Sequence, residues 1–317
     1  MSPKNSPLFI KVAAVIIAVT TGFVAADIHP NAGKTSASFL KIGLGARAVA
    51  MGESYAGIAD DVYAVQWNPA GLNSIANNEL SGMHTEWLQG MRYEYASAAI
   101  RLSANSVGAF SIGYLSYGSD FERRTQTLEF TEDGPSASSG TFGGYGLVAV
   151  ASYSLKLDQN WTLGGNLKGI SENLDTTTGY TAAVDFGALY TLSQNVKLGM
   201  VVQNVGPNLS GFALPINVKV GVGFALPECH LTGAIDINQP NDNYAKISAG
   251  LEYNHENLLF ARLGYRYRIN GDALGDLAGL TAGLGLKLAQ YQLDYAFVPF
   301  GDLGLTHRIS FTAKLGQ

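Results

Sequence analysis

Alternation of apolar and polar residues constrains this chain's folds more than any other feature. It starts near Leu80 and recurs, in stretches of about ten residues, to the C-terminus. Successive side chains of a strand point to opposite faces, so each stretch has two faces of different character. From Leu259 to Ile269 one face reads Leu259, Ala261, Leu263, Tyr265, Tyr267, Ile269, and the other Phe260, Arg262, Gly264, Arg266, Arg268. Leu280 to Leu288 sets leucines and Ala282 against Thr281, Gly283, Gly285 and Lys287. Tyr291, Leu293, Tyr295 and Phe297 oppose Gln292, Asp294 and Ala296, and Ile309, Phe311, Ala313 and Leu315 oppose Arg308, Ser310, Thr312 and Lys314. The charge-free face suits lipid, where a mid-bilayer Arg or Lys costs about 2–4 kcal/mol. The other face suits a wet or filled lumen. A soluble β-sandwich alternates as well, but its solvent face needs charge. Only 14% of residues here are charged, against roughly 25% in ordinary soluble domains.

The joints between stretches also alternate, short then long. Short ones fall at Ser103-Ala104-Asn105, Asp158-Gln159-Asn160, Ser193-Gln194-Asn195, Pro227-Glu228, His255-Glu256-Asn257 and Ala289-Gln290, all rich in turn formers. Longer ones are expected at Gly118–Thr141, Asn173–Gly179, Asn204–Pro215, Gln239–Asn243, Asn270–Gly279 and Pro299–Leu305. The expected fold class is all-β: a transmembrane, antiparallel, up-and-down β-barrel of about fourteen strands over residues 80–317. An even count puts both barrel ends on the short-turn side, normally the periplasm, with the long loops outside.

The first residues read as an address. Lys4 and Lys11 lead into an apolar run from Val12 to Phe23, and Val24-Ala25-Ala26 supplies small residues before a cut. Residues 1–26 are therefore expected to be a cleaved signal peptide directing the chain to a bacterial outer membrane, with outer-membrane lipid as its first partner. Cleavage takes the net charge from −5 to −7, which gives no nucleic-acid footprint. The single cysteine, Cys229, allows no internal disulfide and has no converging ligands, so no metal or cofactor is expected.

Residues 27–79 break the strand rhythm and are dense in Gly and Ala, which permit close backbone packing. A short helix is expected to begin at Asp60-Asp61 and run through Trp67, stopped by Asn68-Pro69. A compact segment of this kind ahead of a barrel is expected to form a hatch in the lumen. Gly43-Leu44-Gly45-Ala46-Arg47-Ala48 loosely matches a dinucleotide fingerprint, but no parallel βαβ organisation surrounds it.

Gly45-Ala46-Arg47-Ala48, Met51-Gly52, Ala59-Asp60-Asp61 and Trp67-Asn68-Pro69-Ala70-Gly71-Leu72 together resemble the N-terminal signature of the PorV/PorQ family. Asp294-Tyr295-Ala296-Phe297-Val298-Pro299-Phe300-Gly301-Asp302-Leu303-Gly304, with Thr306-His307-Arg308, resembles the same family near the C-terminus. That family is similar to FadL-type fatty-acid transporters, fourteen-stranded barrels with an N-terminal hatch. The resemblance implies that Asn68, Pro69 and Ala70 belong to the hatch. One departure is the end, Leu315-Gly316-Gln317, where many outer-membrane barrels finish on an aromatic residue.

Two function classes follow. The first is passage or binding of small hydrophobic molecules. Arg47 in the hatch, or lumen-facing Arg262, Arg266, Arg268 and Arg308, could hold a carboxylate. The stronger expectation is that they pair with Glu252, Asp236, Asp294, Asp60 or Asp61 and fix the hatch in place, because buried charges are normally paired. The second class is non-enzymatic carriage or docking in type IX protein secretion, implied by the resemblance. It would rest on outer loops such as Phe121–Ser139 and Asn204–Pro215 and on secretion-system proteins as partners. An enzyme is not expected: the chain has neither a Gly-x-Ser-x-Gly elbow nor a His-Glu-x-x-His motif.

Overall fold

Alternation with period two becomes a wall of strands in the computed structural model, which describes residues 28–124, 138–269 and 278–316. In chain order the strands are β1 Asn78–Glu86, β2 Arg92–Arg101, β3 Ser106–Arg124, β4 Ser138–Lys156, β5 Trp161–Leu174, β6 Thr177–Ser193 and β7 Val196–Val205. They continue with β8 Asn217–Leu226, β9 Leu231–Pro240, β10 Lys246–His255, β11 Leu259–Arg268, β12 Leu280–Leu288, β13 Tyr291–Pro299 and β14 Leu305–Leu315. Each pairs antiparallel with its chain neighbours, and β1 closes on β14 from Asn78↔Leu315 to Glu86↔His307. Closure gives every described strand a partner on both sides, the condition for strands to cross lipid.

The two faces sort as the sequence implies. Along β11, Leu259, Ala261, Leu263 and Tyr265 are exposed while Phe260, Arg262, Gly264 and Arg266 are buried. β12 and β14 behave alike: Leu284 and Phe311 point out, Gly285 and Arg308 in. Apolar side chains therefore coat the outside of the barrel. Trp161, Tyr153, Tyr253 and Tyr291 are exposed within four residues of the short-turn ends of their strands, the interfacial girdle of a membrane barrel. Among the described residues no helix is long and apolar enough to cross a membrane.

Some joints differ from expectation. The long joint expected at Asn173–Gly179 is a tight hairpin: β5 runs to Leu174, β6 starts at Thr177, and Asp175 takes φ 57°. Aspartate tolerates that left-handed geometry. In the joint expected at Gly118–Thr141, β3 continues to Arg124 and β4 begins at Ser138, while residues 125–137 lie outside the described residues. β2 stops pairing at Ser116 of β3 and β5 stops at Gly144 of β4, so the rest of this hairpin projects beyond its neighbours. Most of the joint expected at Asn270–Gly279, the signal peptide and Asp27 lie outside the described residues.

Residues 38–75 pack against the inward faces of strands around the barrel. A helical turn, α1 (Ala46–Ala50), lies against β11–β14, and the 3-10 turn Pro69–Ser74 lies against β3–β6. The helix expected from Asp60 is only one turn, α2 (Ala64–Trp67); ahead of it the Tyr63 amide donates to Asp61 Oδ1 at 3.0 Å. Asn68 is extended, and its side-chain oxygen accepts from the Ala70 amide at 3.2 Å, so Asn68-Pro69 both ends one turn and starts the next. Wall glycines make the seat. A Cβ at Gly199 would overlap the Ala56 carbonyl, one at Gly250 the Met51 carbonyl, and one at Gly164 the Pro69–Ala70 peptide. The small residues on the inner segment and the glycines on the wall thus answer each other.

Candidate functional site

The Trp67-Asn68-Pro69-Ala70 stretch is buried where the inner segment meets β5 and β6. The Trp67 indole donates to the Leu44 carbonyl at 2.8 Å. The Asn68 amide donates to the Ala56 carbonyl at 2.8 Å and to the Ala188 carbonyl of β6 at 3.1 Å. Gly187 leaves the space: a side chain there would strike Asn68 Oδ1 and the Pro69 ring. One asparagine therefore ties two parts of the inner segment to each other and to the wall. Ala70 adds a further tie, its carbonyl accepting from the Ser154 hydroxyl at 2.9 Å.

Toward the short-turn end lies a chain of charges. The Arg47 guanidinium reaches Asp60, Asp61 at 3.4 Å and Glu252 of β10 at 2.8 Å. Glu252 also takes Arg262 at 2.6 Å, and Arg262 reaches Asp294 at 2.6 Å. Asp61 accepts from the Tyr55 hydroxyl at 2.7 Å; burial pushes its carboxyl up, against the pull of Arg47. Arg262, Glu252 and Asp294 are all at most 5% exposed at the side chain. Removing one partner of such a set leaves an uncompensated buried charge, at a cost of about 3–5 kcal/mol. Asp236, expected to face an arginine, instead accepts from the Tyr55 and Ala56 amides at 2.8 and 2.9 Å. Backbone donors of the inner segment occupy the place a guanidinium would take.

Glu53, a residue not singled out from sequence, anchors the long-loop side. It takes Lys246 at 2.7 Å and Arg266 at 2.8 Å. Burial alone would raise its carboxyl pKa, but these two cations outweigh burial and hold it well below the usual carboxylate range. Arg308 is fully buried with its guanidinium 5.1 Å from the Trp87 ring centroid, and none of its three nitrogens has a hydrogen-bond partner among the described residues. Arg268 is half-buried and has no ion pair among the described residues.

Above the inner segment, at the long-loop end, is a cavity of about 460 Å³. Its floor includes Phe39, Ile42, Gly43 and Trp67, and its walls carry Trp87, Tyr117, Tyr244 and Phe300. Five cations line it, Lys41, Lys219, Lys246, Arg266 and Arg268, against the acids Glu53 and Asp242. Lys41 pairs with Asp242 at 2.6 Å, which contributes to holding that carboxyl below its ordinary range against the effect of burial. Rings and a few charged groups around a concave space are the makings of a small-molecule site. Of the residues expected to hold a ligand, Arg266 and Arg268 line this cavity; Arg47 and Arg262 lie in the charge chain at the other end. Lys219 and Lys246 gave no separate signal in sequence, although each sits on the inward beat of its strand.

No family model matches this chain, and no curated protein matches it. Solved structures do. The toluene transporter TbuX of Ralstonia pickettii superposes with a TM-score of 0.61 at 14% identity, over 86% of this chain and 99% of that one. A deltaS2 mutant of the monoaromatic hydrocarbon channel TodX gives 0.65 at 14% identity, over 86% and 99%. The P. putida toluene transporter TodX gives 0.59 at 14% identity, over 87% and 99%. At this identity the likeness is one of fold: the chain is similar to these proteins in being a barrel of the same architecture.

Proposed function

We propose that this chain is an outer-membrane barrel of the PorV/PorQ kind, FadL-like, that binds or passes small hydrophobic molecules. Residues 1–26 are its signal peptide, 27–79 its hatch and 80–317 its barrel. The observation that carries the reading is the aromatic-walled cavity at the long-loop end, floored by the inner segment. A molecule entering there meets Trp67, which is joined directly to Asn68 and Pro69. The architecture shared with toluene transporters supports the same reading. Uptake by intact cells, with and without the protein in their outer membrane, tests it. Toluene or a similar small apolar solute should cross faster with the protein than without it, and no acceleration would refute conduction. N-terminal sequencing of the mature chain should begin at Asp27.

A second reading, docking in type IX secretion, has one feature in its favour. The β3–β4 hairpin projects past its neighbours and carries Phe121 against Phe142, ring centroids 5.6 Å apart. Crosslinking from Phe121 in intact cells tests it: a specific secretion-system partner would favour docking over transport.

A further inference from the structure

Charge in the long-loop cavity runs against charge in the chain. The whole sequence is at −5, yet five cations and two acids line this cavity. Acids account for three of the cations: Lys41 by Asp242, and Lys246 and Arg266 by Glu53. Lys219 and Arg268 are left without an ion pair among the described residues, and of the two Lys219 is the buried one. It is 5% exposed and points inward from β8, with Glu53 and Asp236 acting on it only from longer range. Its ammonium lies 4.4 Å from the centroid of the Trp67 ring. Its cross-strand neighbours are Val201 on β7 and Asn238 on β9, neither charged. Buried cations are normally paired, and a ring face is weaker compensation than a carboxylate.

We propose that the ligand selected by this cavity is a small aromatic carboxylate, with Lys219 as the anchor for its acid group. The inference rests on the conduit reading and names its substrate class. The carboxylate meets the Lys219 ammonium, with the buried Asn238 amide beside it in the same lining. The ring of the ligand lies among Phe39, Trp67, Tyr117 and Tyr244, where offset and edge-to-face contacts hold flat bodies. Net positive charge at the cavity raises the local concentration of anions over neutral molecules. The anchor also reports on the inner segment. An acid group that draws Lys219 off Trp67 changes the environment of the residue joined to Asn68-Pro69.

The test uses the full mature chain purified in detergent, titrated calorimetrically with benzoate and with benzamide, its neutral near-isostere. Benzoate should bind about ten-fold or more tighter than benzamide, the scale of one charge-assisted contact. Lys219→Met should abolish that preference and Lys219→Arg should keep it. Equal affinity for the two ligands in the unaltered protein overturns the acid anchor without any variant. A preference that survives Lys219→Met overturns the role of Lys219. Tight binding of palmitate with none of benzoate overturns the aromatic assignment. Protein-dependent toluene uptake by intact cells separates the two levels: if the protein speeds toluene entry but benzoate shows no preference, only this inference fails. If no solute crosses or binds, the conduit reading fails with it.

Discussion

Glu53 compensates two cations at once, and its environment fixes how it responds to pH. Lys246 and Arg266 both lean on it, and its carboxyl sits well below the usual range because they overcome its burial. A carboxylate held down in this way adds stability that is fully present above its unfolded value, near pH 4.3, and is lost as pH falls toward and through the folded value. The protection factors of the inner segment against hydrogen exchange should therefore be flat from pH 7 to 5 and fall steeply below about pH 4. Glu53→Gln should leave Lys246 and Arg266 uncompensated, loosen the segment by about 3–5 kcal/mol at neutral pH, and flatten the acid response. An unchanged acid response in the variant would remove Glu53 from the account. Asn68 supports a second prediction at this scale. Its side chain makes two donor bonds and one acceptor bond while buried, so Asn68→Ala strands several backbone groups at about 1–3 kcal/mol each. The barrel should still fold, while protease access to the inner segment rises and ligand passage changes. These residues differ in how readable they were. Asn68 stands in a motif. Glu53 lies in an aperiodic stretch, and its partners come from strands about 200 positions away, a pairing that only the closed barrel creates.

Strands were the most legible elements because each of their faces meets a different medium. The alternation at Leu280–Leu288 predicts Leu284 outward and Gly285 inward, and the strand is built that way. The consequence is testable. Leu284 is 65% exposed at the middle of β12, so Leu284→Lys should cost about 2–4 kcal/mol of membrane stability and reduce the heat-modifiable folded band. Gly285 is a poor inward control, because a side chain there would strike the Arg262–Asp294 pair. Gln292→Lys is the better one: its amide already lies 2.9 Å from Asp294, so a cation there meets a carboxylate. If Gln292→Lys harms assembly more than Leu284→Lys, the faces are inverted. Joint lengths were less legible, and the physical reason is the same. Where β3 and β4 rise past their neighbours, no lipid enforces a pattern, and turn-forming residues at Asn173–Gly179 suit a two-residue hairpin as well as a loop. Within the inner segment the helix begins later than expected, at Ala64, and ahead of it the Val62 amide donates to Glu79 of β1 and the Tyr63 amide to Asp61.

At the scale of the whole molecule, the inner segment is held by different chemistry at the two ends of the barrel. On the long-loop side it floors a cavity and is pinned by Glu53 to β10 and β11. On the short-turn side it is pinned by Arg47, which joins Asp60 and Asp61 of its own segment to Glu252 of the wall. Between them, glycine-backed contacts leave little room for a gradual slide, so a passage across the lumen requires the segment to change its seat. Arg47 is the most economical place to provoke that change. In Arg47→Ala, Asp60 and Asp61 lose their cation and face the barrel's own carboxylate, while Glu252 keeps Arg262. The wall should stay folded and heat-modifiable, and the segment should detach at its short-turn end. In planar bilayers the unaltered protein should conduct ions weakly, and Arg47→Ala should show larger and more frequent openings. Restoring a cation with Arg47→Lys should close most of them, since Lys supplies the charge without the two-pronged grip. If Arg47→Ala conducts no more than the original chain while its inner segment becomes protease-sensitive, the segment would not be what blocks the lumen, and the barrier would have to lie in the packed wall side chains themselves.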